Sequence, residues 1–504
     1  MQQHHTGPGA SWLRLRDVSV RLHGRLFLRG FDWSAAPGEQ WAVLGPNGAG
    51  KTVLAQLIAG ALHPASGELE LAADITPARI AWVSFEAQRE LCAADARHDI
   101  SDYLESAVDA GTTVRALLAA AARRPARVDE VASLLGIRAL MERGIRFLSS
   151  GEARRTLFAQ ALLMEPRLMV LDNPYEGVDR ASRQILRALV DELLGGPTHV
   201  LLLTRRPQDI APGISHVLLL ERGRACDRGP REAVLAGAAM QRLFGPGARL
   251  AAVPLPAPPD DAPAEPCDGP LIELRDVHAH YGENEVLDGV GLRLDPGEHL
   301  CIAGPNGCGK STLLALICGD NPRAYGQHVK LFGRLRGSGE SVWDIKRRFG
   351  IVSNQLHLSY PPRTRAFDVV ASGFFDTLGL YDTCGPGQAK LAREWLGVLG
   401  LSERAAERFD ALSFGEQRMM LIARAMVKHP PILILDEPCS GLDEANRRRV
   451  LELIDRIGHE TRTQMLYVSH EADEMPACIT RRLEFRRDGA GRYRLEPMEH
   501  RPGA

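Results

Sequence analysis

The chain has 504 residues, a formal net charge of −2 and an apolar fraction of 45%, a length that suits two ordinary folded domains and a charge balance, without a dense Lys/Arg block, that advertises no nucleic-acid partner. Its nine cysteines include no C-x-x-C pair, so neither a disulfide framework nor a cysteine-based structural zinc site is expected, and the compartment is a reducing one. No apolar run approaches the roughly 18 residues that span a bilayer, and the opening MQQHHTGPGA has no signal-peptide core.

Taken in chain order, the first informative element is an apolar run, Trp41 to Leu44, that leads into GPNGAGKT: Gly45, Pro46, Asn47, Gly48, Ala49, Gly50, Lys51 and Thr52. A strand, a glycine-rich loop and a helix in that order form a phosphate cradle. The glycines let successive N–H groups turn inward on phosphate oxygens, the helix N-terminus adds its positive end, Lys51 reaches the β- and γ-phosphates, and Thr52 ligates Mg²⁺. The segment VRALLAAAARR, Val114 to Arg124, predicts a helix whose apolar face packs on its own domain. LSSGE follows at Leu148 to Glu152, then LMVLDNP, a buried-strand pattern that ends on the acid Asp172, and then LLLTR, which ends on Arg205. The segment VPLPAPPDDAPAEPCDGP, Val253 to Pro270, is rich in Pro, Ala and acid and reads as an extended tether.

Beyond the tether the chain repeats itself. LRDVS at Leu15 returns as LRDVH at Leu274, and Lys51 returns as Lys310 at the same offset of 259 residues. The second cradle is Gly304, Pro305, Asn306, Gly307, Cys308, Gly309, Lys310 and Ser311; LSFGE spans Leu412 to Glu416; ILILDEP carries Asp436; and YVSH ends on His470. In both halves the serine of the LSxGE motif, Ser149 or Ser413, precedes the strand-end aspartate by 23 residues.

Together, phosphate loop, LSxGE signature, strand-end acid and downstream Ser/Thr-His resemble the ABC ATPase cassette, and the resemblance covers nearly the whole chain. It implies an α/β fold, two tandem ABC-type nucleotide-binding domains of the P-loop NTPase class, each with a mainly parallel sheet, added antiparallel β structure and a helical subdomain. The expected boundaries are 11–247 and 271–497, with 248–270 as linker. It also implies ATP and Mg²⁺ as ligands, with each ATP held between the phosphate loop of one cassette and the signature of the other. One site would then join Lys51, Thr52 and Asp172 with Ser413 and Gly415, and the other Lys310, Ser311 and Asp436 with Ser149 and Gly151.

The two halves are not chemically equal. The residue after the strand-end aspartate is the expected general base for the attacking water; it is Glu437 in the second half and Asn173 in the first. Loss of a positioned general base costs roughly 10²- to 10⁴-fold in rate. The switch histidine is His470 in the second half and Arg205 in the first, and arginine holds a charge without shuttling a proton. Tyr281, the expected adenine-stacking residue, aligns with Leu22, for which His23 is a possible substitute. The catalytic set is therefore expected to be Glu437, His470, Lys310 and Asp436, with one hydrolytic and one mainly structural ATP site. The loop that usually carries a glutamine ligand to Mg²⁺ falls on Phe85 in the first half, with Glu86 and Gln88 nearby. In the second it falls on Asn354, with Gln355 as the ligand if the loop shifts by one residue.

The segment Leu331 to Tyr360 and the tandem layout resemble the ModF-type ATP-binding proteins, a family associated with molybdate transport and also described as photorepair-related. That resemblance implies the energy-coupling subunit of a transporter for molybdate or a related oxyanion. Such a subunit acts with a separate transmembrane permease, peripheral on the cytoplasmic face of the inner membrane. Two further readings stay open: a soluble tandem ATPase acting as a regulatory switch, and a sugar-importer tandem ATPase, in which the degenerate half is commonly the second.

Overall fold

The computed structural model describes residues 11–22, 25–84, 95, 111–245, 253–258, 269–281, 284–469, 475–488 and 492–498. The chain divides into two compact units, one built on residues 1–247 and the other on 248–442 and 446–504.

In the first unit the central sheet has six strands in the order Ile80–Val83, Leu168–Asp172, His199–Thr204, Trp41–Leu44, His216–Glu221 and Arg224–Pro230. The first five run parallel and the last pairs antiparallel at the edge. The parallel strands read as unbroken apolar runs because both of their faces are covered. Alternate side chains go to different cores: Trp41, Val43, Leu168, Val170, Leu201 and Leu203 join a core with Trp12, Trp33 and Leu54. Ala42, Leu44, Met169, Leu171, Val200 and Leu202 join another with Leu117, Leu118 and Phe158. The first core lies under a three-stranded antiparallel sheet, Arg25–Ala35, Leu13–Leu22 and Ser66–Leu71. The second lies under the helical part, where helix Val114–Ala121 buries Val114, Leu117 and Leu118.

The second unit repeats this plan. Its six-stranded sheet runs Phe349–Val352, Ile432–Asp436, Gln464–Ser469, Leu300–Ala303, Arg481–Arg487 and Tyr493–Pro497, with the last strand again antiparallel. Leu300, Ile302, Ile432 and Ile434 face one core and Cys301, Leu433, Leu435 and Tyr467 the other. The α/β fold with added antiparallel sheets is as the motifs imply. One stretch differs in kind: the first unit joins Ser66–Leu71 to Ile80–Val83 through a short connection holding one 3-10 turn, Pro77–Arg79, whereas the second places the strand Arg334–Leu335 and helix Val342–Arg347 between the equivalent strands. Within the Pro-rich segment, the described residues 253–258 do not float free. Leu255 packs against the core of the second unit, and Arg456 donates a 2.6 Å hydrogen bond to the Val253 carbonyl.

Candidate functional site

In each unit the phosphate loop leaves the central strand and enters a helix, Lys51–Ile58 or Lys310–Cys318. The residue before each helix, Gly50 or Gly309, has φ of 104° or 102°, a left-handed backbone that only glycine adopts without strain. Gly45 is fixed differently: a Cβ there would lie 2.3 Å from the Leu220 carbonyl oxygen. Both lysines fold back over their own loops. Lys51 Nζ donates to the carbonyls of Gly45 and Pro46 at 2.7 and 2.9 Å, and Lys310 Nζ to those of Gly304 and Pro305, both at 2.8 Å. The loops wall two clefts, of about 370 Å³ around Asn47 to Val53, Asp172, Asn173, Glu176 and Arg205, and of about 420 Å³ around Asn306, Gly307, Gly309 to Thr312, Asn354, Asp436 and Glu437. A glycine cradle, a hydroxyl and a carboxylate at its rim are the donor set that a nucleotide triphosphate with Mg²⁺ requires, so the residues present fit both.

The electrostatics of the two clefts differ. In the first, Asp172 has both oxygens engaged: Thr52 Oγ1 donates to Oδ2 at 2.8 Å and Asn173 Nδ2 donates to Oδ1 at 2.7 Å. Burial raises the Asp172 pKa even so. Arg205 donates to Asn47 Oδ1 at 3.2 Å and forms an ion pair with Glu176. Burial, followed by the Arg205 charge, lowers Lys51 to about 8. In the second cleft, burial and then the neighbouring Glu437 charge push the Asp436 carboxyl up to about 6.

Asn173 and Glu437 nevertheless occupy the same backbone. Each follows the strand-end aspartate at positive φ, 46° and 48°, and each N–H donates at 2.9 Å to the neighbouring strand, Asn173 to the Leu203 carbonyl and Glu437 to that of Val468. The exchange of amide for carboxylate is thus a change of side chain alone.

Behind these acids lies a feature that sequence reasoning missed. Arg154 and Arg418, third after the signature glycine in LSSGEAR and LSFGEQR, are fully buried. Their guanidinium pKa values are lowered by burial, that of Arg418 to about 10, and the charges of Asp172 and Glu176 or of Asp436 and Glu437 offset part of the cost. Arg418 also donates to Asn354 Oδ1. This settles the placement of the glutamine loop: Ser353 caps a short helix, Asn354–Ser359, that turns Asn354 into the cleft and leaves Gln355 exposed outside it. The structure therefore does not place Gln355 among the Mg²⁺-facing residues. Glu176 and Phe27, which line the first cleft, were also missed; Ser440 and Val286 hold the matching positions.

Each signature serine opens a helix, Ser150–Leu163 or Phe414–Met426. Ser149 Oγ accepts from the Glu152 N–H at 3.3 Å while Glu152 accepts from the Ser149 N–H at 2.8 Å, and Ser413 and Glu416 repeat the arrangement at the same distances. A Cβ on either of the glycines that follow would displace a neighbouring side chain: on Gly151 it would meet Ser182 Oγ at 2.7 Å, and on Gly415 Asn446 Cγ at 2.1 Å. Cys308 is fully buried, and burial raises its thiol pKa, so it stands as core packing like Ala49. Phe85, Glu86, Gln88, His23 and His470 lie outside the described residues, as does the side chain of Tyr281.

Comparison with known proteins agrees with this geometry. The family described as ABC transporter matches the chain twice, over residues 28–176 and 287–440. The ABC transporter ATP-binding protein ModF of Escherichia coli (strain K12) is 40% identical over 461 residues, covering 91% of this chain and 93% of its own. An uncharacterized ABC transporter ATP-binding protein of Schizosaccharomyces pombe is 27% identical over 463 residues, covering 89% and 92%. Among solved structures, a complex of archaeal ribosomal stalk protein aP1 with the archaeal ribosome recycling factor aABCE1 matches with a TM-score of 0.57 at 18% identity, over 96% of this chain and 90% of that one, a likeness of fold. With two copies of the family's core in one polypeptide and a relative of that identity along nearly its whole length, the chain belongs to the ABC transporter ATP-binding family and is a tandem ATPase of it.

Proposed function

We propose that this ATPase turns over at the second phosphate loop and holds ATP without appreciable turnover at the first, and that it powers a transporter for molybdate or a related oxyanion through a separate membrane permease. The observation that carries the one-site reading is the pair of strand-end residues: Glu437 and Asn173 share one backbone placement, and only the first can accept a proton near neutral pH. In this reading Lys310 holds the β- and γ-phosphates, Ser311 and Asp436 ligate Mg²⁺, and Glu437 takes a proton from the attacking water. Bound Mg²⁺ supplies charge neutralisation on the phosphate oxygens. In the first cleft the Arg205–Glu176 pair spends both charges on each other, and Asn173 donates its amide to Asp172. Thr52, Lys51 and Asp172 remain there as a binding set. The Pro-rich segment 248–270 serves as the tether between cassettes 11–247 and 271–497.

The transport reading leans on the kinship with ModF and on the family as a whole. No helix among the described residues is long and apolar enough to cross a membrane, so the membrane path would belong to another chain. A second reading, a tandem ATPase switch with no permease, is favoured by one observation: Asn354, tied to Arg418, occupies the place of the glutamine that usually couples Mg²⁺ to a membrane partner. Affinity purification of the Glu437→Gln variant with ATP, from native membranes and from cytosol, separates the two. Co-purification of an integral membrane protein supports the transporter. Recovery of soluble partners alone removes the permease from the account.

A further inference from the structure

The hairpin that ends the antiparallel sheet of the second unit carries a group of side chains with no role in the reading above. Strands Ile272–Tyr281 and Asn284–Leu294 pair with Ala279 opposite Leu287, His280 opposite Glu285 and Tyr281 opposite Asn284. Alternation puts His278 and His280 on one face of their strand, and the register sets Glu285 against them. One donor atom from each of the three lies within 4.8 Å of the other two.

The two histidine–carboxylate distances match those within a coordination shell. His278 Nδ1 lies 3.6 Å and His280 Nε2 3.5 Å from the same oxygen, Glu285 Oε1. Good hydrogen bonds to carboxylate would be about 2.7–3.2 Å. Ligands about 2.0–2.2 Å from a zinc-like ion at tetrahedral angles stand about 3.3–3.6 Å apart. The surroundings suit such an ion as well. His278 Nε2 is 3.3 Å from Asp276 Oδ1, the carboxylate contact that fixes the tautomer of a metal-bound imidazole. Asp288, whose Oδ2 is 2.7 Å from Arg492, brings its Oδ1 to 3.5 Å from His278 Nδ1 and adds negative charge beside the group. Among the described residues the Gly289 N–H competes for the same nitrogen, donating to His278 Nδ1 at 3.3 Å.

We propose that His278, His280 and Glu285 bind a divalent transition-metal ion of the zinc class, tying together the two strands of the hairpin that carries Tyr281. The site is open, with side-chain exposures of 40%, 56% and 30%, so water completes the coordination and the ion exchanges with solvent. Imidazole nitrogens with one carboxylate favour Zn²⁺, Co²⁺, Ni²⁺ or Fe²⁺ over Mg²⁺. The site belongs to the second unit alone: at the matching positions the first unit carries Ser19, Arg21 and Leu26, and Arg21 pairs opposite Leu26 as His280 does opposite Glu285.

Co²⁺ titration of the nucleotide-free chain tests this without reference to ATP turnover, and His4→Ala with His5→Ala removes a competing pair from the sequence first. The expected result is one equivalent of Co²⁺ bound with visible d–d absorption from imidazole ligation, displaced by Zn²⁺ and lost in His280→Ala and in Glu285→Gln. In parallel, Zn²⁺ should protect His278 and His280 of the unsubstituted chain from diethyl pyrocarbonate, read by peptide mass spectrometry, which guards against a variant that fails to fold. Absence of the visible band at one equivalent, its survival in the His278→Ala, His280→Ala double variant, or equal modification with and without Zn²⁺ would overturn the site.

Discussion

Asp436→Asn should stabilise the metal-free second unit while removing its response to Mg·ATP. The Asp436 carboxyl sits at the end of a buried strand, pushed up to about 6 by burial first and by Glu437 second, with Lys310 and Arg418 pulling the other way. The rise from the ordinary value of 3.8 to about 6 corresponds to about 3 kcal/mol. A folded-state pKa above the unfolded one means that the cost is absent at low pH, grows as pH rises from about 3.8 to about 6, and is complete above that. Asparagine keeps the shape and removes the charge. At pH 8 in EDTA the variant should therefore be more stable by about 3 kcal/mol, or roughly 6–12 °C in the melting temperature of a domain this size; at pH 5 about half of that free energy should remain. Differential scanning calorimetry of wild type and variant reads the difference. With Mg·ATP the order should reverse, because wild type gains a ligated ion that the variant cannot hold. Identical melting at pH 8 in EDTA, or the same gain at both pH values, would refute the electrostatic reasoning.

In a Glu437→Gln background, Asn173→Glu combined with Arg205→His should restore phosphate release by at least about 10-fold, a fraction of the roughly 10²- to 10⁴-fold that a well-positioned general base supplies; Asn173→Glu alone should restore little, because Arg205 and Glu176 still pair. No gain from the double change would show that the first cleft lacks more than these two groups. Gly45→Ala, whose Cβ would be driven to 2.3 Å from the Leu220 carbonyl oxygen, should destabilise the first unit by about 1–3 kcal/mol through overpacking, seen in calorimetry as a lower first-unit transition with the second unchanged. An unshifted first-unit transition would mean that the loop relaxes at no cost.

Much of this was legible in the chain, and the reasons differ by residue. The duplication follows from motifs that return at a constant offset of 259 residues, such as Lys51 and Lys310, and the fold from apolar runs that must be covered on both faces, such as Trp41–Leu44 and Ile432–Asp436. The asymmetry between Asn173 and Glu437 is visible because the motif fixes their place on the backbone. Other features depend on facts no motif carries. Whether Asn354 or Gln355 faces the cleft is decided by the Ser353 cap and the Arg418 contact, a choice of one residue in the start of a helix. Glu176 became visible only once Arg205 was seen to reach it. The group at His278, His280 and Glu285 escaped a reading that sought metal sites through cysteine spacing, since its ligands meet across a hairpin register. The same register argument shows why the first unit, with Arg21 opposite Leu26, has no counterpart.

The most direct measurement of the central claim is steady-state phosphate release by Glu437→Gln and by Asn173→Ala, each beside a count of bound nucleotide. The account predicts that Glu437→Gln lowers turnover by roughly 10²- to 10⁴-fold with nucleotide still bound at both sites, while Asn173→Ala leaves turnover close to that of the unsubstituted chain. Substantial turnover in Glu437→Gln, or a large loss in Asn173→Ala, would contradict a single hydrolytic site.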